Sequence, residues 1–83
     1  MNEKLRQILA AHGKLAVDVA GIADGDDLYA AGLTSFATVQ LMLAIEDGFD
    51  IEIPDRMLNR RTFASIEALQ ACVAELVQNR EAA

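Results

Sequence analysis

The residue whose type and position could do chemistry is Ser35, which follows a loop containing Gly32 and precedes a long apolar run. Hydrophobic periodicity predicts a helix over residues 36–49. The Ser35 hydroxyl would then lie exposed at the positive end of the helix macrodipole, beside N–H groups without partners in the helix. That position suits a phosphate, either bound or attached through the serine oxygen. Serine is also a common helix N-cap, and on position alone the capping role is the more frequent one.

Other residues offer little support for catalysis. No second titratable group is placed to activate Ser35, and no phosphate-binding loop or dinucleotide fingerprint is present. Cys72 is the single cysteine and His12 the single histidine, so we expect neither an intrachain disulfide nor a Cys/His zinc site. The sequence predicts no catalytic and no metal-binding residues, and a hydrolase using Ser35 as its nucleophile is the weakest functional alternative.

Three blocks resemble acyl and peptidyl carrier proteins, and they occur in the right order and spacing over almost the whole chain. Residues 27–36 resemble the phosphopantetheine attachment region, residues 49–54 the segment after the second helix, and residues 62–69 the entry to the last helix. The chain is also similar, over nearly its full length, to small stand-alone carriers specialised for acyl or aminoacyl groups. Some of these receive an activated amino acid from ligases that resemble class II aminoacyl-tRNA synthetases.

The resemblance implies 4′-phosphopantetheine attached to Ser35, with Thr34 and Phe36 flanking it in the cofactor site. The thiol of that group holds an acyl cargo as a thioester, so the protein would be a carrier and not an enzyme. The implied partners are a phosphopantetheinyl transferase, an acyl- or aminoacyl-activating ligase and a downstream acyl-transfer enzyme. The alternative is an unmodified helical module that binds a partner through the second helix while Ser35 only caps it.

The sequence departs from the family pattern at positions that bear on the choice of partner enzymes. Thr34 stands where the family usually has aspartate, and Phe36 where it usually has leucine. Ala37 and Gln40 replace acidic residues common on the outer face of the second helix. We therefore expect dedicated partner enzymes rather than those of general fatty acid synthesis.

The elements that must position Ser35 belong to a small all-α domain. The 83 residues suffice for one domain with a modest core, and the single proline and few aromatic residues favour helices over a sheet. We predict an antiparallel four-helix bundle with a short third helix near residues 55–59 and a long loop over residues 13–34. Asn2 would cap the first helix over residues 3–12, and Ser65 the last. Residues 79–83 are expected to fray.

Two faces are predicted for the second helix, at about 100° per residue. The core-facing residues are Thr38, Leu41, Met42, Ile45 and Phe49. The opposite face carries Phe36, Val39, Gln40, Leu43 and Asp47. Because an outward face is normally polar, its apolar members predict a contact strip for a partner, unless a neighbouring loop covers them. In carriers of this family acyl chains can slip between helices, and the candidates to line such a cavity are Met42, Ile45, Ile53 and Leu58.

Charge and composition narrow the partners further. The net charge of −6 argues against nucleic acid. Residues 46–55 hold five acidic residues and no basic one, which indicates either a solvated face or a patch that steers a basic partner. We see neither a signal peptide nor a membrane-spanning segment, and we expect a cytoplasmic monomer. His12 ends the inward stripe of the first helix, where we expect it to pack or to neutralise the dipole.

Overall fold

The computed structural model describes residues 2–82, which form three α-helices and two 3-10 turns. The helices are α1 (Asn2–His12), α2 (Ser35–Phe49) and α3 (Ile66–Ala82), and the turns are Val19–Gly21 and Asp55–Met57. The all-α class is confirmed. The predicted short third helix is only the 3-10 turn Asp55–Met57, because Leu58 leaves the helical region at φ −85° and ψ 72°. The described chain thus has three α-helices rather than four.

The core lies between the three helices and the long loop. The loop contributes the fully buried Leu28, and the helices contribute Leu5, Leu9, Ala37, Leu41, Ile45, Ile66, Leu69 and Val73. Burying each large aliphatic side chain contributes about 1.5–3 kcal/mol. Thr38, Met42 and Phe49, also predicted to face the core, are half-buried at its edge. The core face of α2 therefore points in the predicted direction, and fewer of its residues are fully buried than expected.

α1 and α2 run antiparallel and approach closely. The Lys4 ammonium lies 4.9 Å from the ring centroid of Phe49, so the start of α1 lies beside the end of α2. A Cβ on Gly48 would come within 2.9 Å of the Ile8 side chain, which explains a glycine inside α2. Of the two roles predicted for His12, inward packing is wrong, because its side chain is exposed. His12 is the basic residue of the last turn of α1, and its effect on the helix dipole stays a prediction.

The long loop predicted over residues 13–34 is packed against the helices. Leu28 is fully buried, and its N–H donates to the carbonyl of Ala64 at 2.7 Å. The Arg6 guanidinium donates to the carbonyls of Val19 (3.0 Å) and Ile22 (2.7 Å), which ties the loop to α1. Val17, also on the loop, is half exposed (52%).

Side-chain hydrogen bonds define several element ends. Ser65 caps α3 as predicted, since its hydroxyl accepts from the Ala68 N–H at 3.0 Å. Asn2 lies inside α1 rather than before it, and its side-chain oxygen accepts from Arg6 Nε at 2.9 Å. α3 is helical through Ala82, and Ala83 lies outside the described residues, so the fraying of residues 79–83 stays a prediction. None of the helices in residues 2–82 is long and apolar enough to span a bilayer.

Candidate functional site

The start of α2 is capped by Thr34 and not by Ser35. The Thr34 hydroxyl accepts from the Ala37 N–H at 3.1 Å, and the Thr34 carbonyl accepts from the Thr38 N–H at 2.9 Å. The backbone of Thr34 is extended (φ −97°, ψ 165°), as expected for a residue just before a helix. Thr34 therefore fills the capping role that could have explained a serine at position 35.

Ser35 is the first residue of α2, and its side chain is exposed. Of the first-turn N–H groups, the one of Ala37 is used by the cap. The N–H groups of Ser35 and Phe36 have no acceptor within the described part of the chain. The accessible Ser35 hydroxyl thus lies at the positive end of a helix of 15 residues, beside two N–H groups without acceptors. These residues fit a phosphodiester on the serine oxygen.

The outward face of α2 beside Ser35 is apolar. Phe36, Val39 and Leu43 are 65%, 53% and 55% exposed, so no loop of the described chain covers them. Asp47 is exposed further along the same face, and Gln40 is half-buried at its side. We call the exposed apolar set Phe36, Val39 and Leu43 the outer strip.

Ala37 does not belong to that face. It is 1% exposed and packs in the core, one turn before Leu41. The expectation that Ala37 replaces an outward acidic residue is therefore wrong. Only Gln40, of the two positions named, lies near the outer surface of α2.

A groove of about 430 Å³ begins at Ser35 and runs between α2 and the segment that precedes α3. Its walls include Ser35, Val39, Met42, Leu58, Arg60 and Phe63. Of the residues predicted to line a cavity, Met42 and Leu58 border this groove. Ile45 and Ile53 do not, because they are 0% and 5% exposed within the packed core.

Two cationic side chains reach the surroundings of Ser35 from distant parts of the sequence. The Arg60 guanidinium lies 3.9 Å from the ring centroid of Tyr29, whose hydroxyl donates to the Arg60 carbonyl at 2.8 Å. Burial raises the pKa of the Tyr29 hydroxyl above its usual value, so it keeps its proton. On the α1 side, the Lys14 ammonium lies 5.7 Å from the ring centroid of Phe36. Sequence reasoning missed Lys14, Tyr29 and Arg60, because only the folded loops bring them to the site.

The acidic cluster of residues 46–55 is dispersed by the fold. Glu46 accepts from the Ile53 N–H at 2.8 Å and so holds the segment after α2 against the helix. Asp50 is the C-cap that follows α2. Its carboxylate lies 3.6 Å from the Arg80 guanidinium, which also donates to the carbonyls of Phe49 and Asp50. These two carboxylates thus have structural partners, and no group of three or more potential metal ligands occurs among the described side chains of residues 2–80.

Comparisons with known proteins agree with this geometry. Residues 3–73 match the family model described as phosphopantetheine attachment site. The chain is 57% identical to the aminoacyl carrier protein of Agrobacterium fabrum (strain C58) over 83 residues, which is the full length of both proteins. It is 36% identical to aminoacyl carrier protein 1 of Bradyrhizobium diazoefficiens over 80 residues, covering 96% of this chain and 86% of that protein.

Two solved structures contain carrier proteins whose fold matches that of this chain. One holds an engineered Bradyrhizobium japonicum glycine:[carrier protein] ligase with a carrier protein from Agrobacterium tumefaciens and AMP. The match has a TM-score of 0.87 at 59% identity and covers 89% of this chain and 99% of the matched one. The other holds the B. japonicum ligase with glycylated carrier protein, with a TM-score of 0.74 at 30% identity, covering 86% and 95% of the two chains.

Proposed function

This chain belongs to the phosphopantetheine attachment site family, and from this premise we propose that it carries an aminoacyl group as a thioester on 4′-phosphopantetheine bound to Ser35. The observation that carries the proposal is the position of Ser35. It is exposed at the start of α2 while Thr34 supplies the cap, so its hydroxyl is available for modification. The protein is a carrier and not itself an enzyme.

The chain's own residues contribute position and charge. In the modification, the Ser35 oxygen would form a bond to phosphorus of coenzyme A, adenosine 3′,5′-bisphosphate would leave, and the hydroxyl proton would pass to base or solvent. The N–H groups of Ser35 and Phe36 and the helix dipole would stabilise the resulting phosphodiester anion. When bound, the prosthetic group supplies the thiol that forms the thioester. Thr34 would hold the first turn in place during modification, and Phe36 would cover one side of the attachment point.

The comparisons support an amino acid as the cargo. The curated relatives are aminoacyl carrier proteins, and carriers 59% and 30% identical to this chain occur in complexes with a glycine:[carrier protein] ligase. We therefore propose that a dedicated aminoacyl-activating ligase also charges the present chain, and glycine is the first cargo to test. A phosphopantetheinyl transferase must act before the ligase and an acyl-transfer enzyme after it. We propose that these steps occur in the cytoplasm.

The outer strip is the surface that we propose for these partners. Phe36, Val39 and Leu43 expose apolar area directly beside the attachment point, which an unpartnered surface helix seldom does. Gln40 and Asp47 would form its polar margin. The groove bordered by Met42 and Leu58 offers apolar walls for the attached arm or its cargo.

The decisive experiment compares Ser35→Ala with Ser65→Ala. Each purified protein is incubated with coenzyme A and a broad-specificity phosphopantetheinyl transferase, and intact mass is measured. We expect the wild type and Ser65→Ala to gain one phosphopantetheine and Ser35→Ala to gain none. Ser35 and Ser65 are the two serines of the chain, so Ser65→Ala controls for attachment at the other serine hydroxyl.

Charging is measured next, by adding ATP, glycine and the engineered B. japonicum ligase to the modified protein. A further mass gain of one glycyl group supports the aminoacyl carrier. An unmodified wild type would instead favour the interaction module, and a modified protein that no amino acid charges would contradict the aminoacyl cargo.

A further inference from the structure

The charges that surround the outer strip identify the kind of partner surface it fits. The chain has seven Lys and Arg residues, and the three ion pairs found among the side chains of residues 2–80 use Arg6, Arg56 and Arg80. In that same part of the chain, no carboxylate lies within ion-pair distance of the remaining four. They are Lys4, Lys14, Arg60 and Arg61. A chain with thirteen acidic residues could pair all of these, so their positions are informative.

Two of the four unpaired cations lie on opposite sides of the attachment point. Lys14 extends from the end of α1 over the ring of Phe36, and Arg60 borders the groove that begins at Ser35. At about 100° per residue, Ser35, Thr38 and Met42, which line the Arg60 groove, lie to one side of the outer strip. Gln40, Ala44 and Gly48, which border a groove together with Ile8 and His12 of α1, lie to the other side. The first half of the outer strip is therefore flanked by a cation on each side.

The backbone at Lys14 is a second observation. Lys14 adopts a left-handed conformation with φ 51°, which a non-glycine residue adopts only at a cost in free energy. This position just beyond the end of α1 is one where glycine is the usual residue. The chain instead places there a long cationic side chain that reaches Phe36. Asp50, just beyond α2, has the same left-handed backbone (φ 53°), so this conformation marks a helix end. The feature particular to Lys14 is the cation that it places beside Phe36.

Acidic side chains are scarce around the same half of the strip. On the exposed face of α2 the acidic residue is Asp47, and it lies beyond Leu43, away from Ser35. Asp27 is near Tyr29, whose pKa is raised by burial first and also by the Asp27 charge. Asp27 borders a second groove together with Arg60 and Arg61. The attachment end of a chain with net charge −6 thus presents apolar and cationic groups to a partner.

We infer that the outer strip, with Lys14 and Arg60 at its sides, docks on an acidic-rimmed apolar surface of the aminoacyl ligase. This inference rests on the proposed function and adds the chemistry of the partner. Carboxylates on the ligase would lie opposite the two cations, and apolar side chains would cover the strip. A basic docking surface, which fits carriers with acidic second helices, would be repelled here.

The test measures the affinity of modified carrier for the engineered B. japonicum ligase by titration calorimetry at low and high salt. The key variant combines Lys14→Glu and Arg60→Glu. The matched control combines Lys4→Glu and Arg61→Glu, which makes the same charge change with two unpaired cations away from Ser35. Helix content and the gain of phosphopantetheine on Ser35 are checked for both.

We expect the Lys14→Glu/Arg60→Glu variant to bind roughly tenfold more weakly than the control at low salt, with the difference shrinking at high salt. The rate of glycine charging at limiting carrier should fall in parallel. Equal affinities of variant and control, or tighter binding by the variant, would overturn the inference while leaving the proposed function intact. A wild type that is not modified or not charged would instead overturn the proposed function and this inference with it.

Discussion

At the scale of single residues, Phe36 differs most from its neighbours because its aromatic ring is 65% exposed next to Ser35, the proposed attachment residue. The Lys14 ammonium lies 5.7 Å from the ring centroid, and most of the ring stays open to a partner. Aromatic residues of this kind often supply a large share of binding free energy when a partner covers them.

We predict that Phe36→Asp lowers kcat/KM for ligase charging by at least about tenfold, mainly through KM, while α-helix content stays unchanged. The aspartate removes apolar contact area and adds a charge that repels the carboxylates proposed on the ligase. Steady-state charging at varied carrier concentration measures this. Val17→Asp is the matched control, since Val17 is 52% exposed but borders a different groove. Equal losses in both variants would show that the outer strip is not the docking surface.

Residues whose roles depend on near neighbours in the chain were predictable from the sequence. The Ser65 cap and the buried positions Leu41 and Ile45 agree with local capping and a period of 3.6 residues, which the fold preserves. Ala37 could have been found in the same way, because it lies four residues before Leu41. Lys14 and Arg60 could not, since no local pattern encodes which loops will meet beside Ser35.

At the scale of elements, α2 begins where it does because the preceding loop is locked. The carbonyl of Ala31 accepts from the Ala16 N–H at 3.0 Å, and the N–H of Leu33 donates to the Leu28 carbonyl at 3.0 Å. Between them Gly32 has φ +112°, a conformation that side chains rarely adopt, and a Cβ there would lie 3.0 Å from the Ala16 nitrogen. The loop therefore needs glycine at this position to present Thr34 and Ser35.

We predict that Gly32→Ala lowers the free energy of unfolding by about 2 kcal/mol, because both the backbone angle and the contact with Ala16 disfavour a Cβ. Urea denaturation followed by circular dichroism measures the loss. Gly21→Ala is the control: a Cβ there meets nothing within 4 Å, so we expect a change within about 0.5 kcal/mol. A Gly32→Ala protein as stable as the control would mean that the loop does not need this conformation.

The shortened third helix shows the limit of element prediction in this chain. The sequence indicates a helical turn near residues 55–59, and the structure has the 3-10 turn Asp55–Met57 there. Tertiary contacts end the turn at this point: Met57 is buried against Cys72, with their sulfur atoms 3.5 Å apart, while Leu58 turns toward the groove beside Ser35. Periodicity over so few residues cannot distinguish a short helix from a single turn.

At the scale of the whole molecule, one polar network joins three separate parts of the chain. The carboxylate of Asp24 accepts from Asn2 at 3.0 Å and from Arg6 at 2.6 Å, and Asn2 also donates to Gln70 at 3.0 Å. The network thus links the long loop to both α1 and α3. Hydrogen bonds from Asn2 and Arg6, together with the Arg6 charge, hold the pKa of the Asp24 carboxyl below its usual value of 3.8.

This lowered pKa predicts how the stability of the whole molecule responds to acid. The unfolded chain binds a proton at Asp24 more readily than the folded one, so the contribution of Asp24 is complete above pH 3.8 and disappears as the pH falls through the native pKa. Asp24→Asn should therefore lower the midpoint of thermal unfolding at pH 7, and the difference from wild type should shrink toward pH 2. Asp47→Asn, at an exposed position on α2, makes the same change in net charge and controls for general charge repulsion. Two results would show that the charge of Asp24 does not hold the loop to the helices. In one, Asp24→Asn lowers the unfolding midpoint by the same amount from pH 7 to pH 2. In the other, Asp47→Asn lowers the midpoint as much as Asp24→Asn does.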